Sequence, residues 1–336
     1  MNAPAFPGLA SVLDDVGMPE ALARDLLDAG RAFHARGLLA ATPSFRRYDS
    51  DELGACRGSG AFPAFSITGG ACALNCKHCR AGILKPMIPT GDPAAFERKA
   101  REMIASRGMR GFLLSGGSNP RNEVPFEPYL PVVARLKRDH PGLEVLVHTG
   151  LVTARRAAAL KGAGVDVAML DIIGSARTIR EVYHLDRPVA DFEASLVALA
   201  AEGLAVVPHI VVGLHFGRLL GEHEALDIIA RTQTESAILV VLMPAYADPG
   251  FGRVDPLEAA SFLAAARARL PDRRLLLGCA RPHGPDRALI DVAAVLAGLD
   301  GVAYPADEAV RAARALGRPV DRQGACCGAA SCARAA

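Results

Sequence analysis

From about Phe65 onward the chain repeats one alternation: a short run rich in Val, Ile, Leu and Phe, then a longer amphipathic Ala/Arg/Leu/Glu segment. That rhythm admits few folds, because a strand followed by a crossover helix returns to pair in parallel with its predecessor. The apolar runs fall at 64–68, 111–115, 144–148, 166–171, 205–213, 237–243, 274–278 and 301–305. Eight such units predict an α/β fold, a TIM-like (βα) barrel near-complete at eight strands. The intervening segments end as helices end, ARRAAALKGAG at Gly162 and Gly164 and LEAASFLAAARARL at Pro271.

The remainder reads as appendages. Residues 1–60 suggest an N-terminal helical cap, with helices around Pro19 to Arg36 and an irregular link through Gly54 and Gly58. Residues 61–318 form the barrel, and 319–336 a Cys-rich tail, GACCGAASCARAA, with the small residues of a loop. A length of 336 residues suits one such barrel. With 51% hydrophobic residues and no Trp, the core should be large and mostly aliphatic.

The charges, 38 basic against 36 acidic, are spread without a basic run, which argues against nucleic acid or a membrane surface as partner. The N-terminus lacks a charged region followed by an apolar one, and no apolar stretch is long enough to span a bilayer. A cytoplasmic location follows as an expectation, with the eight Cys reduced and available for metal.

Three of those Cys stand directly after the first strand, in Cys72-Ala-Leu-Asn-Cys76-Lys-His-Cys79, a CxxxCxxC spacing on one loop. Closely spaced thiolates on a loop can wrap an iron–sulfur cubane, and three of them leave its fourth iron open to an amine and a carboxylate. A zinc site is the plainer alternative. Zinc asks for four ligands, usually as two paired sets, and His78 inside the loop cannot easily join its neighbours on one ion.

This spacing after strand one resembles the radical S-adenosylmethionine superfamily. The resemblance implies a 4Fe-4S cluster on Cys72, Cys76 and Cys79 that reduces S-adenosylmethionine, with an electron donor such as ferredoxin or flavodoxin. Ser115-Gly116-Gly117-Ser118 stands where the family usually carries Gly-Gly-Glu to hold the methionine amino group; Ser118 replaces the Glu, which leaves that contact to carbonyls or to Asn119, and a plain turn is the other reading. His148 and Thr149, Asp171, and His209 belong to strands three, four and five, whose C-terminal ends face the usual active-site mouth. A lone barrel His is as readily a structural hydrogen-bonding group. Val211 and Gly213, in IVVGLHFG, resemble the segment that runs beside adenine, although the same letters make an ordinary buried strand.

Five further Cys exceed what one cluster needs. Cys279 closes the seventh strand, Cys56 sits in the cap, and Cys326, Cys327 and Cys332 lie in the tail. A tail folded back over the mouth could complete a second cluster from Cys56, Cys279, Cys327 and Cys332, with Cys326 as an alternate. Buried Cys acting as small hydrophobes, a redox-active tail thiol or fortuitous metal binding are the plainer readings.

Arg177 to Leu185 and the strand-five segment resemble the biotin synthase and lipoyl synthase branch. The stretch from Gly278 through Arg281 and Arg287 to the Cys-rich tail is most similar to the split two-protein lipoate synthases. The resemblance implies sulfur insertion into an unactivated carbon of a protein-bound octanoyl chain, with the second cluster as sulfur donor. An octanoylated lipoyl-domain protein or peptide and a second radical protein would be its partners. Two departures stand: only Cys56 precedes the radical motif, where ordinary lipoyl synthase carries its auxiliary set, and biotin synthase has an Arg among its auxiliary ligands. Other radical reactions, such as biotin-type sulfur insertion, methylation or rearrangement, and a non-catalytic iron–sulfur sensor are the alternatives.

Overall fold

The computed structural model describes residues 6, 8–43, 47–55 and 60–332, with side chains to 329. Helices α1 (Leu9–Asp15) and α2 (Glu20–Gly30) precede a first strand, β1 (Leu38–Ala41). The repeating units then run β2 (Ala64–Ser66), β3 (Ile88–Pro89), α3 (Pro93–Arg107), β4 (Gly111–Ser115), α4 (Leu130–Asp139), β5 (Glu144–Thr149) and α5 (Ala154–Gly162). They continue through β6 (Val167–Asp171), α6 (Ala176–Tyr183), α7 (Val189–Ala201), β7 (Ala205–Val212), α8 (Glu222–Ala230) and β8 (Ser236–Val241). The last units are α9 (Pro256–Arg269), β9 (Arg274–Leu277), α10 (Pro285–Leu296), β10 (Gly301–Ala303), α11 (Asp307–Ala315), β11 (Val320–Gln323) and α12 (Cys327–Cys332).

All the pairings are parallel, in the order β11-β1-β10-β9-β8-β7-β6-β5-β4-β2-β3. The α/β expectation holds: each of the eight apolar runs contains a strand, and the sheet curls as a TIM-like barrel does without pairing its end strands. Local chemistry sets the helix starts. Asp92, Thr153, Ser175 and Asp255 each accept a hydrogen bond from a backbone N–H of the first turn, and Pro follows Asp92 and Asp255 at the first helical position.

Three strands go beyond the eight. β1 is four small or aliphatic residues, β3 two residues ending in Pro, and β11 the polar Val-Asp-Arg-Gln. None has the β-branched alternation that marks a strand; each exists because a neighbour's unpaired edge accepts it. β1 enters the sheet between β10 and β11, while α1 packs on α11 and α2 on α9 and α10. The helices expected as a cap thus lie in the outer helical layer, and their segment also supplies a strand.

The tail departs from its expectation too. In place of a loop over the mouth, α12 lies inside the curl, touching β1 and β5 through β10. There Cys326, Cys327 and Ala329 join Leu146, Val167, Met169, Val207, Ile238, Leu276 and Ala303 in an inner core. Small residues make this possible: a Cβ on Gly328 would stand 2.3 Å from Met169 Sδ. Burial in an aliphatic lumen, rather than helix propensity, orders this tail. Among the described residues no helix is long and apolar enough to cross a membrane.

Candidate active site

A cavity of about 310 Å³ opens at the C-terminal ends of the strands, the end at which parallel α/β sheets bind their ligands. Cys72, Cys76 and Cys79 line one side of it. Their loop is held at several points: the Ala73 N–H donates to Ser118 O at 2.9 Å, the Lys77 N–H to Val182 O at 2.9 Å and the Arg80 N–H to Cys76 O at 2.9 Å. Asn75, Arg80 and Ala81 take left-handed backbone conformations, which curl the loop tightly enough to turn its thiols inward.

Gly116 and Gly117 at the end of β4 serve this loop. A Cβ on Gly117 would stand 2.0 Å from Ala71 O and 2.5 Å from Cys72 Cα, so only glycine lets the two backbones meet. The Gly117 N–H donates to Thr68 Oγ1 at 2.7 Å, and the Cys72 thiol donates to Ser118 O at 3.8 Å. Ser118 itself donates to Asn122 Oδ1 at 3.2 Å, and Ser115 to His148 O at 3.2 Å.

Beside the loop lies a polar arc from β5, β6 and β7. Asp171 is its hub: His148 Nε2 stands 3.8 Å from one carboxylate oxygen, and the Tyr183 hydroxyl donates to the other at 3.4 Å. His209 meets His148 edge to face at 5.2 Å, and its Nδ1–H donates to Val207 O at 3.0 Å. Burial lowers the His209 pKa to about 4, so the ring is neutral at physiological pH. Thr149 donates to Met169 O at 3.3 Å. His78 stacks on Tyr183 at 4.9 Å, and its buried Nδ1 has no hydrogen-bond partner among the described residues.

The rest of the wall is aliphatic: Ile83, Leu84, Met87, Val211, Val240, Leu242 and Met243. Its floor carries Cys279, Cys326 and Cys327. Both thiol sets therefore face one chamber, although about two hundred residues or more of sequence separate them.

Gly213 is not part of this lining. It takes φ +77° and a Cβ there would stand 2.3 Å from Val254, so packing after β7 requires the glycine, and the Glu222 carboxylate accepts its N–H at 3.0 Å. Cys56 lies outside the described residues, as does the side chain of Cys332. Tyr183, Asn122, Met169 and Met243 line the cavity without having been singled out in the sequence; Tyr183 lies within the Arg177 to Leu185 segment noted for its resemblance.

The donor chemistry suits a cluster better than a single ion. Burial raises the pKa of Cys76, and holds Cys79 up at about 11, so these side chains rest as thiols and would become thiolates only on binding a metal. For Cys327 a hydrogen bond to Cys279 works downward, but its bond to Cys326 and burial outweigh it, and that thiol too is raised. Among the described residues no three His, Cys, Asp or Glu side chains converge on one ion, as zinc would require. A four-iron cluster asks only that each thiolate reach a different iron.

Residues 66–219 match the sequence pattern of the Radical SAM superfamily. Two curated relatives are biotin synthases. That of Desulforudis audaxviator is 29% identical over 150 residues, 43% of this chain and 44% of that protein. That of Prochlorococcus marinus is 25% identical over 248 residues, 71% of this chain and 73% of that protein. The chain thus spans less than half the length of the first. Among solved structures, methylornithine synthase superposes with a TM-score of 0.59 at 14% identity, covering 94% of each chain. The FeFe-hydrogenase maturase of Carboxydothermus hydrogenoformans gives 0.51 at 16% identity, over 88% of this chain and 66% of that one. At these identities the two structures speak for the fold alone.

Proposed function

We propose that this chain, whose residues 66–219 match the Radical SAM superfamily, a family that uses a 4Fe-4S cluster and S-adenosylmethionine, inserts sulfur into an unactivated carbon of a protein-bound octanoyl chain. The observation that carries the reading is the single cavity with one thiol set at its rim, another on its floor and an aliphatic wall between them. When bound, the cluster supplies the electron that cleaves S-adenosylmethionine and so generates the hydrogen-abstracting radical.

Each part of the cavity has a task. Cys72, Cys76 and Cys79 would hold the first cluster, whose chemistry when bound is the reduction of S-adenosylmethionine. Ser118, Asn122, His148, Thr149, Asp171 and His209 offer the polar contacts that orient S-adenosylmethionine, and neutral His209 adds no charge to repel its sulfonium. Ile83, Leu84, Met87, Leu242 and Met243 bind the methylene chain by excluding water, which also protects a carbon radical from quenching. Cys279 and Cys327, with Cys326 as the alternate, would hold a sulfur-donating second cluster; Cys56 and the Cys332 side chain, the other two expected from sequence, lie outside the described residues. A ferredoxin or flavodoxin donor and a second radical protein complete the proposal.

The biotin synthase relatives favour a second reading, sulfur insertion into a free metabolite. The two readings part on substrate. Reconstituted anaerobically and given dithionite, S-adenosylmethionine and either an octanoyl-lysyl peptide or dethiobiotin, the protein should add sulfur mass to the peptide alone. Sulfur appearing in dethiobiotin with an unchanged peptide replaces this reading by the second; 5'-deoxyadenosine with neither product rejects both.

A further inference from the structure

Cys279 reaches the cavity floor on the short turn that leaves β9, and that turn is held from both sides. The Val241 N–H donates to Ala280 O at 2.9 Å, and Arg281 Nη1 donates to Gly278 O at 2.7 Å. Arg281 is 2% exposed and the Asp291 opposite it 0%, an ion pair wholly inside the protein. The guanidinium meets both Asp291 oxygens, Nε at 2.5 Å and Nη2 at 2.8 Å, and Nη2 also donates to Ala303 O at 2.7 Å and Tyr304 O at 3.1 Å. Asp291 in turn accepts the Ala306 N–H at 2.8 Å. One side chain thus ties the end of β9 to the end of β10 and to α10.

A buried pair of this kind is a costly way to gain stability, which directs attention to what it positions. The planar fork of Arg reaches a carboxylate and three carbonyls at fixed angles; a Lys ammonium cannot. The same commitments disqualify Arg281 as a metal ligand, because its nitrogens are spent as donors to Asp291 and to the Gly278, Ala303 and Tyr304 carbonyls and its side chain is not among those lining the chamber.

We infer that Arg281, clamped by Asp291, is the positioning residue that holds Cys279 against Cys327, and is not itself a ligand of the second cluster. The inference rests on the two-cluster reading above for its meaning, but the positioning is testable without it.

The parent for the test carries Cys72→Ala, Cys76→Ala and Cys79→Ala, so that only a floor cluster can form. Into it go Arg281→Lys and, as a control for the loss of any buried fork, Arg267→Lys, whose partner is Asp300 at 2.6 Å. Arg281→Lys should lose most of the iron and alter the EPR line shape, while Arg267→Lys keeps both. Iron and line shape unchanged in Arg281→Lys overturn the positioning role. A nitrogen coupling that changes with ¹⁵N-arginine labelling overturns the claim that Arg281 is no ligand.

Where the parent holds no cluster at all, the two-cluster reading is what fails, and trapping still decides the positioning. In the metal-free protein, mild copper–phenanthroline oxidation should join Cys279 to Cys327 in the parent and in Arg267→Lys. Arg281→Lys should give little of that linked peptide by mass; an equal yield in all three overturns the inference. Thermal unfolding of both Lys variants identifies a merely unfolded chain, and Arg281→Lys losing the linkage only because it is unfolded also counts against the inference.

Discussion

The two thiol sets are built in opposite ways. Cys72, Cys76 and Cys79 lie within eight consecutive residues of one loop, and left-handed turns bring their thiols together. Cys279, Cys326 and Cys327 meet only because β9 delivers one and the tail, threaded into the lumen as α12, delivers the others. The first set depends on local conformation, the second on the whole barrel being folded around its own C-terminus. A local site can be lost or kept by itself; a topological one is coupled to core packing.

The largest test of that contrast removes the loop thiols. Cys72→Ala, Cys76→Ala and Cys79→Ala together should abolish 5'-deoxyadenosine formation and cost about four irons per chain. The floor set and the fold should survive, as circular dichroism and the remaining iron would record. The converse change, Cys326→Ala with Cys327→Ala, should also cost about four irons and end sulfur transfer, yet leave S-adenosylmethionine cleavage within about twofold. Cleavage that falls together with the tail thiols would join what the structure separates.

The polar arc between the sets offers a test by pH. His209 has a pKa lowered by burial from 6.5 to about 4, so the unfolded chain takes up the proton first. Its contribution to stability is complete above about pH 6.5 and is lost as the pH falls towards 4, a loss of at most about 3 kcal/mol. His209→Gln should flatten that part of the acid limb in equilibrium unfolding. An unchanged limb means that the arc is wet, unlike the floor.

Core packing supplies the smallest and most specific change. Gly328→Val places a methyl-bearing carbon against Met169 and should cost about 1–3 kcal/mol. Because α12 carries the floor thiols, it should also weaken the second cluster without touching a thiol, and leave the first unaffected. Iron analysis alongside denaturant titration checks both.

This contrast also explains what the sequence disclosed. The eight expected strands were legible because burial on both faces demands continuous apolar runs, and the CxxxCxxC loop because its thiols are neighbours in the chain. β1, β3 and β11 were not, since their strand character comes from the edge they pair with and not from Leu-Leu-Ala-Ala, Ile-Pro or Val-Asp-Arg-Gln. The tail reads as loop because Gly, Ala and Ser carry little pattern; those same small side chains are what the lumen admits. Gly116 and Gly117 read as the turn that would hold the methionine amino group, and what Gly117 admits is the backbone at Ala71 and Cys72. Arg281 stands in a motif that the sequence displays, while its partner Asp291 lies inside a helix and could not be paired with it by spacing alone.

The central claim, two clusters facing one chamber, is tested most directly by iron and sulfide content with EPR on the anaerobically reconstituted protein and on Cys326→Ala with Cys327→Ala. Two clusters predict about eight irons in the first and about four in the second, the surviving signal still shifting when S-adenosylmethionine is added. About four irons in both proteins, with identical spectra, would contradict it.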